Sequence, residues 1–193
     1  LRELHNSLPI SDAVSRVPRR LFVGIRLDPA TAGLMVSVAD RLLAKDFRGR
    51  YIGPDDLHAT VAFLGDVPEP KIDDLVDILV RQAAIVRPFG VRFDRLGGFP
   101  NKREPRVVWL GSTRINSDFQ RLGTALRQEY ADAGFTFPDA LRLHVTLCRP
   151  QPRGRVPKIA FAPIETIVKT ISLMESTQAE PRYRTIHEAT LGG

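Results

Sequence analysis

Neighbouring strands with no helix between them constrain this chain most, because a parallel pair needs a crossover and an antiparallel pair does not. In the middle of the chain "FGVRFDRLGG" (89–98) and "PRVVWLG" (105–111) both read as strands, joined only by the turn-rich "FPNKRE". Further strands are expected at "RLFVGIRL" (20–27), "LHATVAFLG" (57–65, ended by Gly65), "LRLHVTLC" (141–148), "IETIVKTISLMES" (164–176) and "PRYRTIH" (181–187). Three helices are expected between them. The first has Asp28 as N-cap, Pro29 at its first position and an apolar stripe of Leu34, Val38, Leu42 and Leu43. The second starts near Pro70 and carries Ile72, Leu75, Val76, Leu79 and Ala83 on one face. The third runs through Phe119, Leu122, Leu126 and Tyr130 and stops at Gly134. The mixture points to an α+β fold with antiparallel sheets, and a strand–helix–strand unit that occurs about twice points to two similar lobes.

The chain of 193 residues is long enough for one large domain or two small lobes. No linker or low-complexity tract divides it. Residues 1–18 have no long apolar run and no cleavage-like site, so they read as a flexible or loosely docked extension rather than a secretory signal, followed by one domain over 19–193. No segment approaches the ~20 apolar residues of a membrane helix. A single cysteine, Cys148, excludes an internal disulfide and fits a reducing, cytoplasmic setting. Lys and Arg (28) exceed Asp and Glu (22), giving a net charge of +6, which favours a polyanionic partner such as RNA or a phosphorylated ligand.

Two of the four histidines sit in matching amphipathic strands, each followed two residues later by threonine: "DLHATVAFLGD" and "LRLHVTLCRP". Side chains at i and i+2 share a strand face. Strict alternation therefore puts Asp56, His58, Thr60 and Ala62 on one face, and Arg142, His144, Thr146 and Cys148 on the corresponding face of the second strand. If those faces meet, two imidazoles and two hydroxyls converge. That set suits phosphodiester chemistry, with a neutral imidazole as base, an imidazolium as acid, and hydroxyls donating to phosphoryl oxygens. It calls for no cofactor or metal, since threonine is a poor metal ligand and these faces lack the carboxylates of a magnesium site. A single His-x-Thr is more often a structural hydrogen-bonded pair; two in matched strands are harder to assign to chance.

These stretches resemble the paired motifs of the two-histidine (2H) phosphoesterases, in the bacterial RNA 2′,3′-cyclic phosphodiesterase or 2′-5′ RNA ligase-like branch. "RLFVGIRL", "FGVRFDRLGGFPNKREPRVVWLG" and "LMESTQAEPRYRTI" extend the resemblance over about residues 19–186. It implies a bilobal, pseudo-two-fold fold with two antiparallel sheets flanking a central cleft and helices outside. It also implies that His58 donates and His144 accepts a proton at a terminal 2′,3′-cyclic phosphate held by Thr60 and Thr146, leaving a 2′-phosphomonoester. Some members of the family run the related transesterification backwards and join RNA ends through 2′-5′ linkages. The expected partners are RNA ends or short oligonucleotides, with no membrane, and the expected state is a monomer. Two alternatives remain: a nucleotide- or RNA-binding module that has lost catalysis, and a phosphodiesterase for other small cyclic or 2′-5′ nucleotides.

Phe63 and Arg149 both lie five residues after the motif histidines. Alternation sends them away from the catalytic face, but a turn of the backbone at Leu64–Gly65 or Pro150 brings them to the cleft, to stack on a base. For Phe63, core packing is an equal alternative. Arg142 falls on the catalytic face and can neutralise phosphate or simply be solvated, and Lys102, Arg103 and Arg106 are either phosphate contacts or an exposed hairpin tip. Cys148 on the His144 face raises a cysteine–histidine nucleophile, disfavoured because no third residue orients it. His5 and His187 belong to no motif and are expected at the surface, and a His/Cys zinc site lacks ligand spacing.

Overall fold

The structure, a computed structural model, describes residues 17–180 and 182–192. The expected N-terminal extension lies almost wholly outside the described residues, and His5 with it. In chain order the elements are β1 (Arg19–Arg26), α1 (Pro29–Leu43), β2 (Gly49–Tyr51), β3 (His58–Val67), α2 (Ile72–Ala84), β4 (Phe89–Phe93) and β5 (Arg95–Phe99). There follow β6 (Val107–Gly111), α3 (Ser117–Asp132), β7 (His144–Pro150), β8 (Ile164–Val168), β9 (Thr170–Ser176) and β10 (Tyr183–Thr190).

All strand pairings are antiparallel. One group runs β10-β9-β1-β3 and the other β7-β6-β5, with β2 on the far edge of β7. The two halves join through one residue pair, Ala59↔Val145, so that they share one sheet at the centre of the molecule. Strands β4 and β8 form a separate two-stranded sheet. The α+β fold with antiparallel sheets is thus present, and the central pair relates its halves. Ala59 and Val145 each follow a motif histidine by one residue. Carried one residue either way, that register sets His58 opposite Thr146 and Thr60 opposite His144, which is a local two-fold.

The helices form where capping and an apolar stripe coincide. Asp28 accepts the Thr31 N–H at 2.9 Å and the Thr31 hydroxyl at 2.5 Å, and Thr166 of β8 donates to the same carboxylate at 2.9 Å. These bonds, the Thr31 hydroxyl foremost, hold the Asp28 carboxyl down at about 2. The stripe α1 buries is Met35, Val38, Ala39 and Leu42. Leu34 and Leu43, expected on it, are about half exposed, because the stripe is set by Met35 and Ala39 and these two leucines flank it. In α2 the buried set is Ile72, Leu75, Ile78, Leu79 and Ala83, with Val76 at its margin. Asn116 caps α3 through the Phe119 N–H, and Gly134, at φ 96°, ends it as expected.

Two apparent long strands are each two strands. Asp94 separates β4 from β5, which belong to different sheets. The Asp94 carboxylate accepts the backbone N–H and hydroxyl of Thr113 at 2.7 and 2.9 Å, which pins the crossing point. Lys169 likewise divides β8 from β9, its carbonyl accepting from the Leu191 N–H. Strand β3 does not stop at Gly65. That residue takes φ 75°, which glycine adopts at little cost, and pairing with β1 continues to Val67.

Candidate active site

Both motif strands depart from strict alternation at the same place. In β3, Gly24 of β1 pairs with Thr60 and Val23 with Ala62, leaving Val61 outside the ladder. In β7, Trp109 of β6 pairs with Thr146 and Val108 with Cys148, leaving Leu147 outside. A bulge three residues after each histidine therefore resets the phase of the strand. Val61 and Ala62 are both buried and Phe63 emerges; Leu147 and Cys148 are both buried and Arg149 emerges.

This corrects two sequence expectations. Ala62 and Cys148 do not share the histidine face, and the bulges, not turns at Leu64–Gly65 or Pro150, bring Phe63 and Arg149 out. Phe63 is 46% exposed, which removes the core-packing alternative, and the Arg20 guanidinium lies 5.0 Å above its ring. Cys148 is fully buried, and burial pushes its thiol up to about 11 against the lowering effect of its hydrogen bond with Tyr51. A cysteine–histidine nucleophile has no geometry here.

The two strands line one cleft of about 520 Å³ holding His58, Thr60, Phe63, His144, Thr146 and Arg149 together. Arg142 joins them, although it precedes β7 rather than lying in it. Lys102, Arg103 and Arg106 stay exposed on the β5–β6 hairpin, outside the lining of that cleft. His187 lies half-buried in β10, also outside it.

Each imidazole is oriented the same way. His58 Nδ1 meets the Asp56 carbonyl at 2.7 Å, and His144 Nδ1 meets the Arg142 carbonyl at 2.9 Å. A carbonyl only accepts, so Nδ1 carries the proton in both neutral rings and Nε2 keeps its lone pair. The same fixed Nε2 can thus take a proton when the ring is neutral or give one when it is charged. Burial is the main reason His58 is lowered to about 4, with the Arg26 and His144 charges adding to it and the Asp56 carbonyl and carboxylate charge opposing. His144 is lowered as well, by burial and then by the Arg142 charge.

Aromatic walls that sequence reasoning did not assign hold the rings. Phe22 and Tyr183 pack on His58 at centroid distances of 4.9 and 4.6 Å. Phe99 and Trp109 pack on His144 at 5.1 and 6.1 Å. The outward phase of β1 would have pointed to Phe22; nothing local marks Tyr183, which arrives from the other end of the chain. Asp56 makes that arrival possible: its buried carboxylate accepts the Tyr183 and Arg182 N–H groups at 3.2 and 3.4 Å. Among the described residues, no group of three or more His, Cys, Asp or Glu is placed to hold a metal ion, and no helix is long and apolar enough to cross a membrane.

Two antiparallel halves that each bring a His-x-Thr strand to one cleft have the layout of the two-histidine phosphoesterases. A family model described as LigT-like phosphoesterase matches residues 25–109. A Methanothermobacter thermautotrophicus protein named RNA 2′,3′-cyclic phosphodiesterase is 32% identical over 139 residues, covering 70% of this chain and 74% of its own length. A Thermotoga maritima protein of the same name is 28% identical over 181 residues, 90% of this chain and 96% of that one. Among solved structures, Escherichia coli LigT complexed with 3′-AMP superimposes with a TM-score of 0.76 at 26% identity, covering 91% of this chain and 99% of that one. A Thermus thermophilus structure gives 0.76 at 26%, covering 90% and 98%. The chain belongs to the LigT-like phosphoesterases.

Proposed function

We propose that this chain is an RNA 2′,3′-cyclic phosphodiesterase that opens terminal 2′,3′-cyclic phosphates to 2′-phosphomonoesters by two-histidine acid–base catalysis. The observation that carries the reading is the local two-fold at Ala59↔Val145. It gives a phosphate at the centre of the cleft one imidazole and one hydroxyl on each side. In-line displacement needs that disposition, with nucleophile and leaving group on opposite sides of phosphorus. In this reading His144 Nε2 takes a proton from the attacking water while His58, as imidazolium, gives its Nε2 proton to the departing O3′. Thr60 and Thr146 donate to the non-bridging oxygens as charge develops there. Phe63 and Arg149 receive the terminal base, and Arg142 adds positive potential.

Relatives of the same family are named for this activity, and Escherichia coli LigT was crystallised with the nucleotide 3′-AMP. Each half of the chain supplies one motif, so the site needs no second copy, and we assign a monomer. A fully buried lone cysteine suits the cytoplasm, where we place the enzyme. The test is hydrolysis of 2′,3′-cyclic-phosphate mononucleotides and oligonucleotides in excess EDTA. The expected product is the 2′-phosphate, with turnover reduced by a factor on the order of 10²–10⁴ in His58→Ala and in His144→Ala. Persistent hydrolysis in both variants would overturn the mechanism. Tight nucleotide binding with no turnover would make the chain a binding module.

A further inference from the structure

The bulges in β3 and β7 match in position, but they are braced by different means. A bulge frees backbone groups from the ladder, and those groups need other partners. At β7 the partner is backbone: the Leu147 carbonyl accepts the Ile52 N–H at 2.9 Å, just beyond the β2 edge strand. Among the described residues, strand β3 has no such neighbour at this point, because it meets β7 only at Ala59. Its Val61 carbonyl instead accepts Arg127 Nε of α3 at 2.7 Å. The same guanidinium donates through Nη1 to the Asp139 carbonyl at 2.7 Å, in the loop that leads to Arg142 and His144.

The helix is shaped for this approach. Gly123, one turn before Arg127, is buried with Val61 Cγ1 only 3.3 Å from where its Cβ would lie and the Leu141 side chain closer still. Gln120, a turn earlier on the same face, donates to the Leu141 carbonyl at 3.1 Å. The Asp139 charge also acts on Arg127, but less than its burial; the guanidinium lies 5.4 Å from the Phe137 ring and reaches the cleft lining. A flat guanidinium with fixed N–H directions can serve two carbonyls at once, which a lysine ammonium on a flexible stem does less well.

We infer that Arg127 is a positioning residue that takes the place of the missing edge strand, holding the Val61 bulge open and so keeping Phe63 turned into the cleft. Without it, β3 relaxes toward plain alternation, which faces Ala62 to the cleft and Phe63 to the core. The inference rests on the cleft being the substrate site only for its kinetic consequence; its geometric consequence stands apart.

Two readouts test it. In Phe63→Cys, maleimide should label residue 63 readily, Cys148 being buried, and adding Arg127→Met should slow labelling by about tenfold or more. An unchanged rate overturns the inference. Arg127→Lys serves in its place if the methionine variant does not fold, with an intermediate rate expected. For kinetics on a 2′,3′-cyclic mononucleotide, Phe63→Ala and Arg127→Met should each raise KM about tenfold, and the Phe63→Ala/Arg127→Met double variant should match the Phe63→Ala single variant within about twofold. Losses that multiply overturn action through Phe63. If Phe63→Ala costs nothing while labelling still responds to Arg127, the bulge inference stands and base stacking on Phe63 fails.

Discussion

Binding an anion in the cleft should recharge His58. With a pKa of about 4 in the protein alone, His58 is protonated at pH 7 in roughly one molecule in a thousand, and charging it costs about 4 kcal/mol. An oxyanion ~4 Å from the ring returns about 4 kcal/mol at an effective dielectric of about 20. The two magnitudes cancel, so an anion between the motifs brings His58 back toward neutral pH and makes it a competent acid only when the site is filled. The assay is a ¹³Cε1-histidine NMR titration with and without saturating sulfate, which does not itself titrate in this range, with the resonance assigned by its loss in His58→Gln. The midpoint should rise by about 2–3 units with sulfate, and calorimetry in buffers of different ionisation enthalpy should show proton uptake at pH 6–7.

The same shift fixes the sign of two further curves. His58 binds fewer protons folded than unfolded between pH 6.5 and 4, so the protein without added anion loses stability as pH falls through that window, and sulfate should reduce the loss. In kcat/KM, which reports the free enzyme, both limbs are set by histidines lowered below their ordinary value, so the optimum should lie on the acid side of pH 6.5. The kcat profile should lie higher in pH. A His58 that titrates near 6.5 without added anion and ignores sulfate would refute the reasoning.

Two other perturbations separate support from chemistry. A Cβ at Gly97 would overlap the Trp109 ring, which packs with Phe99 against His144, so Gly97→Ala should cost about 1–3 kcal/mol, seen as a lower Tm, together with reduced turnover; an unchanged Tm would contradict the packing. Cys148→Ala should leave kcat within about twofold, since the thiol is buried on the far side of β7 from His144; complete loss of turnover would reopen a thiol mechanism.

The class of fold was legible because it depends on period and punctuation. Alternating strands, a capping Asp28 and a terminating Gly134 act over a few residues, and the structure follows them. The histidines and threonines were legible because i and i+2 share a face whatever the partner strand is. Sequence reading failed one step later, at Ala62 and Cys148. A bulge depends on how consecutive residues of the neighbouring strand pair, here Val23 with Ala62 but Gly24 with Thr60, and Val108 with Cys148 but Trp109 with Thr146, and that register leaves no mark in β3 or β7 themselves. Tyr183, Asp56 and Arg127 escaped for the same reason, because each acts through backbone groups that are remote in sequence.

Two nearly identical motifs need a reason to act differently, and the packing around them supplies one. Opposite His58 in β1 stands Arg26, whose guanidinium is bound to the Thr185 hydroxyl at 2.9 Å, the Asp55 carbonyl at 2.6 Å and the Tyr183 carbonyl. The matching position opposite His144 in β6 is Gly111, which brings no charge. The C-terminal strand therefore closes the His58 end and anchors the β1 cation Arg26 beside it, and both effects make that imidazolium the stronger acid. His144 is lowered by burial too, but the cation beside it is Arg142. A stronger acid suits the group that must release a proton to the departing O3′, so the division of labour proposed for the two histidines follows from β1 and β10 rather than from the motifs. Exchanging Arg26 for a neutral residue of similar length, Arg26→Met, should accordingly raise the His58 midpoint and leave that of His144 in place.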